Sequence, residues 1–174
     1  KTVSRKFRIL DLGTGTGAVG LAIASQLPYG DIVAVDASVA ALNVAIANAN
    51  KLNLKNVRFL QSDWFSALAG EKFDVIVSNP PYVTEKEKSG MNQNVLDYEP
   101  HEALFVSDVD PLIFYKAISE KAQQALKPGG LVTVEINEKF GADVLQIFLR
   151  NGFDAVQIVK DVANKDRVVK AIKV

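Results

Sequence analysis

Asn79-Pro80-Pro81-Tyr82 follows the apolar run Phe73-Asp-Val-Ile-Val77 and carries the groups needed to hold an amine or amide nitrogen. Asn79 offers a side-chain carbonyl as an acceptor, and Pro80 offers a backbone carbonyl with no N–H of its own. Two acceptors facing one point can take both protons of an NH2 group and leave its lone pair aimed at an electrophile. Tyr82 adds an aromatic face, fit to pack on a flat substrate or to lie near a cation. The tetrapeptide by itself also fits a plain proline turn after a core strand. The segment upstream decides between the two.

That segment is Asp11-Leu12-Gly13-Thr14-Gly15-Thr16-Gly17. Its glycines stand between a predicted strand and a predicted helix, where backbone must turn tightly and lie close to a ligand. Asp36 ends the next apolar run, where an acidic residue can accept from ribose hydroxyls. Gly15-Thr-Gly-Ala-Val-Gly20 also satisfies the dinucleotide fingerprint, with Asp36 near the expected spacing. The loop therefore specifies an adenosine-containing cofactor without choosing between a nicotinamide and a sulfonium. Asp11 tips the choice, because a carboxylate just before the glycines suits a cationic methionine-like group better than a pyrophosphate. The clamp on NH2 points the same way, since hydride transfer has no evident use for it.

These residues need strands and helices to position them. Phe7–Leu12, Asp31–Asp36, Val57–Gln61, Phe73–Val77 and Leu131–Ile136 read as strands from their β-branched and aromatic content. Helices are predicted over Ala18–Leu27, from a Ser38 cap to Leu52, from Asp110 with Pro111 at its first position to Leu126, and over Gly141–Arg150. Ala155–Val159 and Arg167–Val174 leave no room for a helix between them and should pair antiparallel. The expectation is an α/β fold with a seven-stranded, mostly parallel, doubly wound sheet and one antiparallel strand near the carboxyl end. About thirty residues between the Asn79 turn and Asp110 show no clear period, and a stretch that long beside Tyr82 is expected to be a lid or a substrate-binding wall.

Composition bounds the function. The chain has 174 residues, enough for one domain with a full core, and 48% apolar with 23% charged residues is ordinary for a globular protein. Lys+Arg and Asp+Glu balance at 20 each, which argues against a domain whose main work is to grip a nucleic acid backbone. The absence of cysteine and the single histidine leave no thiolate or histidine-rich metal site, so no metal is expected. No apolar run approaches the roughly 20 residues of a membrane span, and no signal peptide opens the chain. The expected setting is cytoplasmic, with no membrane partner.

Asp11-Leu-Gly-Thr-Gly-Thr-Gly17 with Asp36 resembles the first motif and the ribose-binding acid of class I S-adenosylmethionine-dependent methyltransferases. Ser78-Asn-Pro-Pro-Tyr-Val83, together with Gln61-Ser-Asp-Trp-Phe65 and Tyr98-Glu-Pro-His-Glu-Ala-Leu104, resembles the HemK/PrmC family, which methylates a glutamine side-chain amide in peptide release factors. The similarity runs from about Ile9 to the carboxyl end. Members of that family carry an amino-terminal helical domain that helps recognise the release factor, and this chain begins just before the glycine motif. The resemblance therefore implies a catalytic domain, residues 1–174, without that helical domain.

It further implies that Asn79, Pro80, Pro81 and Tyr82 hold the glutamine amide. Asp11, Gly13, Thr14, Gly15, Thr16 and Gly17 line the methionine and ribose part of S-adenosylmethionine, and Asp36 binds the ribose hydroxyls. Asp63 and Trp64 lie near the adenine, and Asn79 faces both cofactor and substrate. Trp64 also fits an ordinary core tryptophan. Glu99 is open between shaping the substrate pocket and capping a helix or making a surface ion pair. His101 reads as a loop residue rather than a base. The implied partner is a peptide release factor, with nucleic acid not the direct substrate. Two alternatives stand beside this reading: an amino-methyltransferase acting on adenine or guanine of nucleic acid, and a nicotinamide-dinucleotide-binding domain.

Overall fold

The computed structural model describes residues 6–91, 93–94 and 100–174. In chain order the elements are β1 (Arg8–Leu12), α1 (Ala18–Gln26), β2 (Asp31–Asp36), α2 (Val39–Lys51), β3 (Val57–Gln61) and β4 (Phe73–Ser78). After these come β5 (Val83–Thr84), α3 (His101–Leu104), β6 (Phe105–Val106), α4 (Ile113–Ala125), β7 (Leu126–Glu135), α5 (Gly141–Arg150), β8 (Phe153–Lys160) and β9 (Asp166–Lys173). Short 3-10 turns occupy Glu85–Gly90 and Glu138–Phe140.

Side-chain alternation on the strands sets the layers. Leu10 and Leu12 of β1 and Val33 and Val35 of β2 join one core cluster, whereas Ile9 and Ile32 join another on the opposite face. The first cluster is the larger and is closed by Tyr115, Ile118 and Ala122 of α4 with Val144 and Phe148 of α5. The second is covered by α1 through Ala24. Gly17 lets α1 settle beside α2, since an added Cβ would stand 2.9 Å from Leu21 Cδ1 and 3.2 Å from Ala45 Cβ. Helices thus cover both faces.

The sheet order is β3-β2-β1-β4-β7-β9-β8. All pairings are parallel except that β9 runs antiparallel to both β7 and β8. This is the expected seven-stranded sheet with one antiparallel strand, the last in sequence. The chain leaves β1 for β2 on one side while β4 lies on the other, so the crevice between the carboxyl ends of β1 and β4 is the topological switch point.

Two local expectations need correction. The fourth long helix begins at Ile113 rather than Pro111, because Asp110 closes a turn: its carboxylate accepts from Leu112 N–H at 3.3 Å and Lys116 Nζ at 2.8 Å. β7 begins five residues earlier than Leu131. Phe73 pairs with Leu126 and Val75 with Leu131, so Lys127–Gly130 bulges out opposite Asp74. In the aperiodic stretch after Tyr82, β5 and β6 pair in parallel as a separate two-stranded sheet. Tyr98 and Glu99 lie outside the described residues.

Ser78 fastens the two central strands at their carboxyl ends. Its buried hydroxyl donates to the Leu12 carbonyl at 2.7 Å, at the point where Leu12 and Ser78 are paired in the sheet. Ser78→Ala should lower unfolding free energy by about 1–2 kcal/mol, the cost of losing a buried hydrogen bond and leaving an acceptor unmet. Denaturant unfolding checks this, and an unchanged midpoint would show that the bond holds nothing.

Candidate active site

Strand register brings the candidate residues to one edge of the sheet. Leu12 is opposite both Val35 and Ser78, and Asp36 is opposite Gln61. The segments after these residues therefore leave at a common level: Gly13–Gly17, Asp36, Asp63-Trp64 and Asn79–Tyr82. The glycine loop and the Asn79 turn come from adjacent paired strands.

Two carboxylates brace the loop, Asp11 from inside and Asp36 from its rim. Asp11 is buried, and its Oδ2 accepts from Thr14 Oγ1 at 2.6 Å and Gly20 N–H at 2.7 Å. Burial pushes the Asp11 carboxyl upward, opposed by those two donors and reinforced by Asp36. Gly20 is required here, because a Cβ on it would lie 2.6 Å from Asp11 Oδ2. Asp36 accepts from Gly15 N–H through Oδ2 and from Ser38 N–H through Oδ1, both at 2.8 Å. The Thr16 carbonyl is held by Asn48 Nδ2 at 3.0 Å.

The loop amides are engaged as well. Gly13 and Thr14 N–H both donate to the Val35 carbonyl, and Gly17 N–H donates to the Thr14 carbonyl. With Gly15 bound to Asp36, four N–H groups of the loop have protein acceptors. Gly13 and Gly15 have φ of 72° and 55°, and an added Cβ at either meets nothing within 4 Å. Their outer side is open room, with the Asp36 carboxylate near it. That suits a neutral or cationic ligand lying on the loop.

In the turn after β4, Asn79 is exposed, Pro80 is buried, and Pro81 and Tyr82 are half-buried. Tyr82 OH donates to Glu135 Oε1 at 2.8 Å. Burial, and then the Glu135 carboxylate, push the phenol up to about 12, so it stays a donor at neutral pH. The Tyr82 ring also packs against the main core, which makes it an anchor of the turn.

Asp63 is exposed, whereas Trp64 is half-buried against the core and stacks on Phe114 with centroids 5.0 Å apart. Trp64 has φ of 49°, a left-handed conformation that costs a bulky residue about 1–2 kcal/mol. The Ser62 hydroxyl, donating to the Trp64 carbonyl at 2.7 Å, helps to hold it. A groove of about 490 Å³ between residues 63–72 and α4 includes Asp63 and Trp64 in its wall. A shallower groove of about 540 Å³ has Tyr82, Lys86, Lys139 and Arg167 in its wall. His101 stacks on Phe105 at 4.6 Å and meets Glu85 at 3.0 Å, so it braces the loop.

A family model described as a methyltransferase domain matches residues 4–169. The chain belongs to the methyltransferase domain family. This methyltransferase domain is 44% identical over 166 residues to the release factor glutamine methyltransferase of Bacteroides thetaiotaomicron, covering 94% of this chain and 59% of that protein. It is 43% identical over 161 residues to the release factor glutamine methyltransferase of Escherichia coli K12, covering 92% of this chain and 57% of that protein. The methyltransferase domain thus spans less than two thirds of these relatives. Among solved structures, the Thermus thermophilus 16S rRNA N2 G1207 methyltransferase, in complex with AdoMet and guanosine, superposes with a TM-score of 0.67 at 26% identity. That match covers 96% of this chain and 37% of the other.

Sequence reasoning missed Gly20 as a packing requirement, Ser78 as the tie between strands, and Glu87 in the loop. Gly20 was visible as the last glycine of the fingerprint, but its neighbour Asp11 is a contact only folding makes. Glu87 Oε2 accepts from Thr84 N–H and Oγ1, both at 2.9 Å, and its Oε1 accepts from Lys139 Nζ at 2.7 Å. Burial raises the Glu87 carboxyl, but Lys139 and Thr84 outweigh it and hold it at about 2, below its ordinary 4.5. A carboxyl lowered on folding stabilises above its unfolded value and loses that stabilisation as pH falls toward the folded value. The melting-temperature difference between wild type and Glu87→Gln should therefore be full above about pH 5 and shrink between about 4.5 and 2. A difference independent of pH in that window would contradict the assignment.

Proposed function

We propose that this domain transfers a methyl group from S-adenosylmethionine to the side-chain amide nitrogen of a glutamine in a peptide chain release factor. The observation that carries the proposal is the pairing of Leu12 with Ser78, which sets the glycine loop beside the Asn79-Pro80-Pro81-Tyr82 turn. The relatives named as release factor glutamine methyltransferases support the choice of substrate.

S-adenosylmethionine supplies an electrophilic methyl group on a sulfonium. The open side of Gly13 and Gly15, with Asp36 at its rim, suits its methionine and ribose parts, and Asp63-Trp64 lies along the same edge for the adenine. Asp36 already accepts two backbone N–H groups, and a carboxylate has lone pairs left for ribose hydroxyls. On this reading Asp11 acts from behind the loop, fixing its shape through Thr14 and Gly20.

An amide nitrogen is a poor nucleophile because its lone pair is delocalised into the carbonyl. Asn79 Oδ1 and the Pro80 carbonyl accept its two N–H groups, favour charge developing on nitrogen and fix the direction of its lone pair. Orientation and preorganised dipoles then supply most of the acceleration.

Asn79→Ala should remain folded and lose transfer to a release-factor glutamine by about a hundredfold or more, the usual cost of one preorganised transition-state partner. Asn79→Asp, which keeps an acceptor, should fall between the two. Single-turnover methyl transfer at saturating cofactor measures this. Equal rates for wild type and Asn79→Ala would end the clamp, and transfer to RNA or DNA in preference to release factor would replace the substrate assignment.

A further inference from the structure

The Pro80-Pro81 turn has no N–H groups with which to tie itself down. Its amino end is fixed through Ser78 and Leu12. Its carboxyl end is fixed by one side chain from the last residue of β7 and one from just beyond it. Glu135 Oε1 accepts from Tyr82 OH at 2.8 Å, and Asn137 Nδ2 donates to the Tyr82 backbone carbonyl at 3.2 Å. One residue is thus gripped at its ring tip and at its main chain by positions two apart.

The Asn137 amide has no freedom to turn. It is buried, with 7% exposure; its Nδ2 also donates to Glu87 Oε2 at 2.9 Å, and its Oδ1 accepts from Lys139 N–H at 3.0 Å. All three of its polar positions are therefore engaged, and swapping its O and N would break every bond. Glu87 in turn holds both the N–H and the hydroxyl of Thr84, two residues beyond Tyr82. Arg167, whose guanidinium pairs with Asp161 at 3.1 Å, lines the same groove as Tyr82.

We propose that Glu135 and Asn137 are positioning residues of the methyl transfer, setting the Asn79-Pro80 acceptors by fixing Tyr82. This rests on the proposed function for its catalytic consequence, and on the bonds above for its structural one. Neither residue touches the reacting atoms; both act through Tyr82.

Two readouts on the chain test it. In amide hydrogen exchange, Asn137→Ala should speed exchange at Val83 and Thr84 far more than at Ile76 and Val77 of β4. In single-turnover transfer to a release factor, Asn137→Ala and Glu135→Ala should slow the maximal rate by about tenfold to a hundredfold, with S-adenosylhomocysteine affinity unchanged. Glu135→Gln keeps an acceptor for the phenol and should restore most of the rate. Tyr82→Phe removes only the hydroxyl, so adding Glu135→Ala to it should cost little more. Unchanged exchange at Val83 and Thr84 in Asn137→Ala would overturn the proposal, as would Glu135→Ala and Tyr82→Phe effects that simply multiply. If wild type transfers no methyl to a release factor, the substrate assignment fails, while the exchange comparison still decides whether Asn137 holds the turn.

Discussion

The parallel pairing of β1 with β4 is the constraint on which the site depends. Leu12 and Ser78 stand opposite each other, and the Ser78 hydroxyl closes on the Leu12 carbonyl at 2.7 Å. Because both strands run in the same direction, both must discharge their following segments at the same edge and level. One segment is a glycine loop whose shape needs left-handed backbone; the other is a proline turn that cannot hydrogen-bond itself. Each would be ill-defined alone. The sheet order β1-β4-β7 then gives the turn a brace on each side, with Leu12 on one and Glu135 and Asn137 on the other.

Electrostatics within the loop follow from how it is braced. Asp11 and Asp36 each use a carboxylate oxygen to fix loop backbone or side chain, and the N–H groups of Gly13, Thr14, Gly15 and Gly17 are directed into protein acceptors. A dinucleotide-binding loop needs donors turned outward to meet phosphate. The same glycine spacing here ends in a surface with carboxylates behind it and open room in front. Where these carboxylates point is set by hydrogen bonds that the GxGxxG spacing does not encode.

Much of this was legible in the sequence because it is local. Alternation and β-branched runs located the strands, and the absence of a helix between the last two required the antiparallel β9. The glycine loop and Asn79-Pro80-Pro81-Tyr82 were visible as residue types at fixed spacing. The inward direction of Asp11 was not, since it depends on Gly20 allowing a close approach after α1 has formed. Glu135 and Asn137 carried no local sign of their role. They meet Tyr82 across 53 and 55 residues of chain, a contact set by β7 docking beside β4. Lys127–Gly130 fell between the predicted helix and the predicted strand, because Pro128 and the glycines mask the strand pairing of Leu126 with Phe73.

On the proposed function, the glycine loop and the Asn79 turn form one ligand site. Backbone amide chemical shifts measured during titration with S-adenosylhomocysteine test it most directly. Gly13, Gly15 and Thr16 are expected to shift together with Asn79 along a single saturation curve, while β8 and β9 stay still. Shifts confined to the loop with Asn79 unaffected, or a response to NAD in place of S-adenosylhomocysteine, would contradict it.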